Sequence, residues 1–342
     1  MLTYLGGFKV DEGDLRQAIQ DLKELYKRRV TEYSITGEPI IDPYPVIKVG
    51  RKVIRGYPLR RSKLRALIPY SHSKRVLAID ASAKLLFDCG PIKVVVSKVA
   101  WALWRGVKTL IVEEPIIRIK VVKSREEAAE WLLKLELSKA LEKRHLLGRG
   151  DYLLLDRGLM AVPALRKGTK GLFKELDRTL DRRGAILVGI SKVSRLKLST
   201  GSSLVGYLSY MAKRALGDLA WYYYPLFREG QLPPWYIGDI TVAKLSEYSK
   251  YVFRVDISRR ALKRWNLEEL LGEVAYLQDP ATPGYPYPLK SVHELSKIGG
   301  DELELLRYFF IELAEDEGIG EQFRADSEAY EFKEEVLWGS LI

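Results

Sequence analysis

The sequence has few of the residues that form disulfides or bind soft metals. It contains one cysteine, Cys89, and three histidines, His72, His145 and His293, in 342 residues. A disulfide framework and a cysteine-rich zinc site are therefore excluded. Any bound metal has to be held mainly by carboxylate oxygens, which favours a hard divalent ion such as Mg²⁺ or Mn²⁺.

Long apolar runs and asparagine are also scarce. No stretch approaches the ~20 apolar residues of a membrane span, and the first residues lack the basic and long apolar parts of a signal peptide. We therefore expect a cytoplasmic protein with no membrane segment. Asn266 is the one asparagine beside abundant Lys, Arg and Glu, a composition that favours a thermophilic source.

Acidic residues are outnumbered by basic ones. The chain has 56 Lys and Arg against 45 Asp and Glu, which gives a formal net charge of +11. Hydrophobic residues make up 47% and charged residues 30%, which is typical of a globular protein with a substantial core. The excess of positive charge favours a polyanionic partner, although a soluble protein can also be basic without one.

Two apolar runs each end in an aspartate. The stretch 74–82, KRVLAIDAS, predicts a strand buried on both faces that carries Asp80 at its tip and then turns on Ala81 and Ser82. The run DYLLLD predicts a second buried strand, with Asp156 at its end. A third run, AILVGISK, predicts the next buried strand and delivers Lys192.

The segments between these runs predict the fold class. After Asp80, three more strand-like segments indicate a four-stranded antiparallel meander. Residues 124–145 have helical spacing, with Ser124 and Glu127 as a capping box. Strands, helix, strand, helix, strand is a mixed α/β order. It resembles the ribonuclease H arrangement, a mixed sheet flanked by helices.

Carboxylates gathered at strand ends suit phosphodiester hydrolysis. That reaction is served by two oxygen-ligated divalent ions about 4 Å apart, and at least three carboxylates are normally needed to hold them. Glu136 lies near the apolar border of the predicted helix, so it is the candidate for the third carboxylate. A glutamate at such a border is also commonly a solvated flanking residue.

The remaining motifs complete an ordered set along the chain. LAID ends at Asp80, LLLD at Asp156, GISK at Lys192 and GYPYPLKSVH at His293, with Glu136 on the helix between the first two. This set resembles the NurA family of archaeal and bacterial DNA nucleases, over roughly residues 70 to 300. The resemblance implies a ribonuclease H-like fold and a homodimer that cleaves DNA with Mn²⁺ or Mg²⁺.

The resemblance also implies a biological role and a set of site residues. The role is 5′-to-3′ exonuclease activity, with single-strand endonuclease activity, in DNA end resection and double-strand break repair with a hexameric HerA-type ATPase. The implied metal ligands are Asp80, Glu136, Asp156 and His293. Tyr285 and Lys192 complete the implied catalytic set.

Three of these residues also have an interpretation of their own. His293 follows a proline-braced turn and would add a neutral nitrogen ligand, which suits Mn²⁺; its alternative is helix capping. Tyr285 would position a phosphate or stack on a base, or else pack in a turn. Lys192 would pair with the scissile phosphate, or simply keep a strand end soluble.

Two positions depart from the family pattern. Ala81 and Arg157 stand where the family usually has glycine after the two aspartates. Ala81 is acceptable only if the backbone there does not need a positive φ. The guanidinium of Arg157 would compete with a metal ion or clamp a DNA phosphate. Because the carboxylates are retained, an active enzyme is favoured.

Basic and aromatic residues in the second half predict a path for DNA. The predicted DNA-binding residues are Arg157, Lys192, Arg195, Lys197 and Tyr285. Interleaved tyrosines such as Tyr210 and the run 222–224 suit stacking on a single strand, or else belong to the core or a dimer interface. Two alternatives remain for the whole chain: a non-catalytic DNA-binding subunit, or a structural adaptor of a DNA translocase.

The predicted organisation has three parts. Residues 1–70 are an N-terminal extension, with an amphipathic helix at 11–34 and a hairpin between residues 37 and 61. Residues 71–311 form the nuclease domain. Residues 312–342 form an acidic C-terminal tail, for which we expect a partner contact or disorder.

Overall fold

A computed structural model describes residues 2–5, 8–30, 42–279 and 281–332. The strands are β1 Leu2–Leu5, β2 Phe8–Asp11, β3 Pro45–Val49, β4 Lys52–Arg55, β5 Leu64–Ala66, β6 Arg75–Cys89, β7 Ile92–Arg105, β8 Lys108–Val112, β9 Ile116–Val122, β10 Tyr152–Leu155, β11 Ile186–Ser191, β12 Lys197–Leu198, β13 Trp221–Tyr223, β14 Gly238–Lys244, β15 Phe253–Ser258, β16 Gln278–Asp279 and β17 Thr282–Pro286. The helices are α1 Glu12–Val30, α2 Arg125–Lys143, α3 Lys167–Arg183, α4 Leu204–Leu216, α5 Arg259–Leu262, α6 Leu267–Tyr276, α7 Tyr287–Ser296, α8 Gly300–Asp316 and α9 Gly320–Phe332.

A ten-stranded mixed sheet forms the centre of the molecule. Its strand order is β5-β13-β14-β15-β11-β10-β6-β7-β8, and β9 pairs with β7. β10 runs parallel to both β6 and β11, and α2 and α3 supply the crossovers that parallel neighbours require. The path β9-β7-β6-β10-β11, with its two crossover helices, is the ribonuclease H topology. The predicted α/β fold class, a mixed sheet flanked by helices, is confirmed.

Strand β6 carries Asp80 in its middle rather than at its tip. The predicted turn on Ala81 and Ser82, with a separate strand after it, is wrong, because β7 pairs with β6 along its full length and keeps both residues extended. An alanine is accommodated in that conformation. The parallel partner β10 pairs only with residues 76–79. Asp80 is therefore the first β6 residue beyond the end of β10.

The four antiparallel strands do not form a simple meander. β8 pairs with residues 102–105 of β7, whereas β9 pairs with residues 93–99 of the same strand. The predicted four-strand meander is therefore wrong, because its first two strands are the single strand β6. Its last segment divides into β8 and β9, which share one edge of the long β7. Helix α2 begins as predicted, because the Ser124 hydroxyl accepts a hydrogen bond from the Glu127 backbone N–H.

Both faces of the sheet are covered, which explains the continuous apolar run before Asp80. Val76 and Ala78 face the core formed with α6 and α7. Leu77 and Ile79 face the core formed with α2 and α3. All four are 0% exposed, and burial of each larger side chain contributes about 1.5–3 kcal/mol. These two layers hold the carboxyl end of β10 and the middle of β6 in fixed positions.

The N-terminal part combines a helix with a small sheet. Helix α1 matches the prediction for residues 11–34 as far as residue 30, and residues 31–41 lie outside the described residues. The predicted hairpin is β3–β4, and β12 adds to it. β5 pairs with β13 in the central sheet. Part of the predicted N-terminal extension therefore belongs to the main sheet.

The acidic C-terminal segment is folded as far as residue 332. Helix α8 runs across the predicted boundary after residue 311, and α9 follows it. The ring of Phe87 on β6 contacts Phe310 at 5.5 Å and Phe323 at 4.8 Å between ring centroids. The expectation of disorder is wrong for residues 312–332. Residues 333–342 lie outside the described residues.

Within the described ranges, no helix is both long and apolar enough to span a membrane.

Candidate active site

Three of the predicted metal ligands converge where the central strand β10 ends. Asp80 comes from the middle of β6, Asp156 follows the end of β10, and His293 lies on α7. One ligand atom from each of the three lies within 4.8 Å of the others. Leu155, the last residue of β10, pairs in parallel with Ile79 of β6, so the next residues, Asp156 and Asp80, lie side by side.

Hydrogen bonds fix the orientation of Asp80 and His293. His293 Nδ1 lies 2.8 Å from Asp80 Oδ2, and the Ser296 hydroxyl donates to the same oxygen at 3.1 Å. The Ser82 hydroxyl donates in turn to the Ser296 carbonyl. Nδ1 of His293 therefore faces the Asp80 carboxylate, and its lone pair would be the one available to an ion that both residues hold. Ser296, one turn beyond His293 on α7, was not predicted from the sequence.

Glu136 lies beside this cluster but is engaged elsewhere. Its side chain is 2% exposed and its Oε1 lies 2.6 Å from Nη2 of Arg157. Burial raises the pKa of Glu136 to about 7, against the opposing effect of Arg157, and the charges of Asp80 and Asp156 raise it further. Glu136, the predicted third carboxylate, is therefore close to Asp80 and Asp156 but is already paired with the Arg157 guanidinium.

A buried ion pair holds the loop that carries Arg157. Asp256 is 0% exposed and receives two hydrogen bonds from Arg254, both at 2.7 Å. Its Oδ2 also accepts the Leu159 backbone N–H at 2.9 Å. On the neighbouring strand β11, Gly189 leaves room for the Arg157 carbonyl, because a Cβ there would collide with that oxygen. The backbone of residues 157–159 is therefore fixed from two sides.

The ion pair between Arg254 and Asp256 was also not predicted from the sequence. The available signal was the alternation of charge within YVFRVDI, where Arg254 and Asp256 share one face of a strand that is otherwise apolar.

Lys192 and Tyr285 extend the site on the side of Asp156. Lys192 Nζ lies 2.7 Å from Asp156 Oδ2 and 5.0 Å from the centre of the Tyr285 ring. Burial, and then the Asp156 carboxylate, raise the pKa of Tyr285. Tyr285 is 6% exposed, so its ring is no surface for a base to stack on. The ring instead supports the Lys192 ammonium group.

A groove of about 620 Å³ opens beside Asp156. Five basic residues line it: Lys48, Arg157, Lys192, Arg195 and Arg254. Lys48, on the β3–β4 hairpin, was missed because the sequence does not reveal where that hairpin docks. The predicted Lys197 is exposed on β12 opposite Val46, outside this lining. Tyr222 and Tyr223 are buried in β13, which makes them core residues.

Comparison with known proteins identifies the family. A profile of the NurA domain matches residues 74–298, more than half of the chain. The chain belongs to the NurA family. Among curated protein sequences, none is significantly similar to this NurA chain.

The chain is also similar to solved structures of NurA proteins. The NurA nuclease from Sulfolobus solfataricus is 13% identical, with a TM-score of 0.56 over 90% of this chain and 98% of that one. A NurA with manganese is 11% identical, with a TM-score of 0.49 over 88% and 98%. A NurA bound to dAMP and manganese is 10% identical, with a TM-score of 0.44 over 70% and 87%. At these identities the first likeness shows the fold alone.

Proposed function

We propose that this protein is a metal-dependent deoxyribonuclease that hydrolyses phosphodiester bonds in DNA. The observation that carries the proposal is the convergence of Asp80, Asp156 and His293 within 4.8 Å beside a groove lined by basic side chains. Membership of the NurA family supports it. The net charge of +11 agrees with a polyanionic substrate.

The donor set of this site fits a hard divalent ion. Two carboxylates and one imidazole suit Mn²⁺, and Mg²⁺ suits the carboxylates. When bound, such an ion supplies an activated water and stabilises negative charge on the reacting oxygens. Asp80, Asp156 and His293 would hold it, and Ser296 would orient Asp80 as a hydrogen-bond donor.

Basic residues would place the DNA relative to these ligands. Lys192 sits beside Asp156 and would bind the scissile phosphate, and Arg195 would neutralise a neighbouring phosphate along the groove. Lys197, on β12 beside the groove-lining strand β3, would extend the same positive surface. Because Tyr285 is buried under Lys192, its role would be to hold that ammonium group in place.

The family supplies the finer part of the proposal. We place the activity in the cytoplasm, in DNA end resection and double-strand break repair, as a 5′-to-3′ exonuclease with single-strand endonuclease activity. The proposed partner is a HerA-type hexameric ATPase. Degradation of 5′-labelled and 3′-labelled duplexes, with and without such an ATPase, tests polarity and partnership together.

A homodimer is supported by an exposed apolar edge of the sheet. The edge strand β8 and its neighbour β9 expose six apolar side chains: Leu110, Ile111, Val112, Ile117, Ile119 and Val121. Unpaired apolar edges are aggregation-prone unless another chain covers them. A second copy of this chain is the proposed cover.

Cleavage of end-labelled single-stranded and double-stranded DNA tests the central proposal. Wild-type protein with Mn²⁺ or Mg²⁺ should give products that vanish with EDTA and in Asp80→Asn. The matched control is Asp88→Asn, an isosteric change on the same strand at a carboxylate that pairs with Lys93, and it should cleave normally. Cleavage by purified Asp80→Asn equal to wild type would overturn the assignment.

A second candidate is a non-catalytic DNA-binding subunit. The ion pair between Arg157 and Glu136 favours it, because it removes one carboxylate from the metal ligands. This candidate predicts salt-dependent DNA binding without products at any concentration of Mn²⁺ or Mg²⁺.

A further inference from the structure

The Arg157 guanidinium is a positively charged group that lies beside the ligand cluster and pairs with Glu136. Asp80, Asp156 and His293 share one set of ligand atoms within 4.8 Å, and Glu136 is outside that set. In the described part of the chain, the partner of the Glu136 carboxylate is the Arg157 guanidinium, 2.6 Å away. A nuclease with two divalent ions would need this carboxylate for the second ion.

The position of Arg157 is built into the fold. Its backbone carbonyl packs against Gly189, where no side chain fits. Two residues later, the Leu159 N–H is held by the buried Asp256. The guanidinium is thereby held over Glu136, and a buried carboxylate that lost this partner would be left uncompensated at high energetic cost.

Arg157 is also available to a substrate. Its side chain is 28% exposed and lines the groove together with Asp156 and Lys192. The exposed part of its guanidinium would donate to a phosphate oxygen while Nη2 stays on Glu136.

We infer that the Arg157 guanidinium takes the place of a second divalent ion, so that each chain holds one metal ion and uses Arg157 as its second cation. This inference rests on the proposed function. Arg157 stays paired with Glu136 and contributes positive charge next to the scissile phosphate. The guanidinium, a weakly hydrated cation of fixed geometry, replaces a second divalent ion that would otherwise bind from solution.

Metal titration tests this inference independently of cleavage. Free Mn²⁺ is followed by electron paramagnetic resonance as the full-length protein is titrated, alone and with a phosphorothioate-protected oligonucleotide that can complete the coordination shell. Wild type should bind one Mn²⁺ per chain in both conditions. Arg157→Ala frees Glu136 and should bind two with the oligonucleotide present.

Two further variants assign the second ion to its site. Arg157→Lys keeps a positive charge and should remain at one Mn²⁺ per chain. The double variant Arg157→Ala/Glu136→Gln removes the freed carboxylate and should return to one. If Arg157→Ala does not fold, Arg157→Gln preserves a donor toward Glu136 without the charge, and it should also bind two.

The outcomes separate this inference from the proposed function. Wild type that cleaves DNA and binds two Mn²⁺, one of them lost in Glu136→Gln, would overturn the inference and leave the nuclease standing. Arg157 variants that fold and stay at one Mn²⁺ would overturn it as well. Failure of wild type to bind any Mn²⁺ would overturn the proposed function and this inference together.

Discussion

At the scale of single residues, the candidate ligands were easier to predict from the sequence than the side chains that contact them. Asp80 and Asp156 were predicted because each ends a buried apolar run, and His293 was predicted because the ordered set of motifs resembles the NurA family. Ser296 escaped because a serine one turn along a helix has no distinctive pattern. The Glu136–Arg157 pair escaped because it joins residues 21 positions apart on different elements.

Ser296 gives a test of how Asp80 is oriented. Ser296→Ala removes the hydroxyl that donates to Asp80 Oδ2, so we expect Mn²⁺ affinity to fall about 10-fold and unfolding free energy to fall by about 1 kcal/mol. Isothermal titration calorimetry and urea denaturation measure the two effects. Ser291→Ala on the same helix is the control, and an equal loss of affinity there would contradict the explanation.

At the scale of elements, helices and buried strands were predictable and their connections were not. The spacing within α2 and its Ser124 cap are local properties, so the sequence reveals them. The continuity of β6 through Ala81 and Ser82 is imposed by pairing with β7, which local residue preferences do not encode. The same holds for β8 and β9, since their shared edge depends on the length of β7.

The loop after β10 gives a test at this scale. Asp256→Ala leaves the buried Arg254 without its partner and frees the Leu159 N–H, so we expect the unfolding free energy to fall by about 3–5 kcal/mol. Urea denaturation measures the loss. Asp218→Ala removes an exposed ion pair with Lys213 and should have little effect; comparable losses in the two variants would contradict a special role for Asp256.

At the scale of the whole molecule, charge was predictable from composition, but the surface proposed to bind a second copy was not. The exposed residues of β8 and β9 look like ordinary strand residues in the sequence, and only the sheet order reveals β8 as an edge. The folding of α8 and α9 was likewise not predicted, because the segment was judged by its acidic composition and not by the aromatic residues that pack on β6.

The apolar edge predicts the oligomeric state. Ile111→Lys places a charge on β8, so we expect the proposed dimer to dissociate to a monomer in light-scattering measurements coupled to size exclusion. Val53→Lys is the matched control, because Val53 is a similarly exposed apolar residue on β4, in a different sheet. An unchanged dimer in Ile111→Lys would place the interface elsewhere.

The stability of the whole molecule should depend on pH through His72. Burial lowers the pKa of His72, against the opposing charge of Glu273 and with a smaller contribution from Lys74. The neutral form is favoured on folding, so the contribution is present above the ordinary pKa near 6.5 and is lost as pH falls through the lowered value.

We therefore expect unfolding free energy to fall more steeply in wild type than in His72→Gln below about pH 6.5. Urea denaturation across this range measures the slopes. His145→Gln, at an exposed histidine, is the control and should follow wild type. Parallel slopes in wild type and His72→Gln would show that another group controls the acid response.

The bond between His293 and Asp80 joins residues 213 positions apart, and this separation sets the order in which the site is completed during synthesis. The β6–β7 hairpin pairs neighbouring segments, and its contacts close early because little chain has to be ordered. Asp156 joins when β10 has been made, and His293 arrives only with α7. A chain still on the ribosome thus carries both aspartates but not the complete proposed ion site until most of its length has been translated.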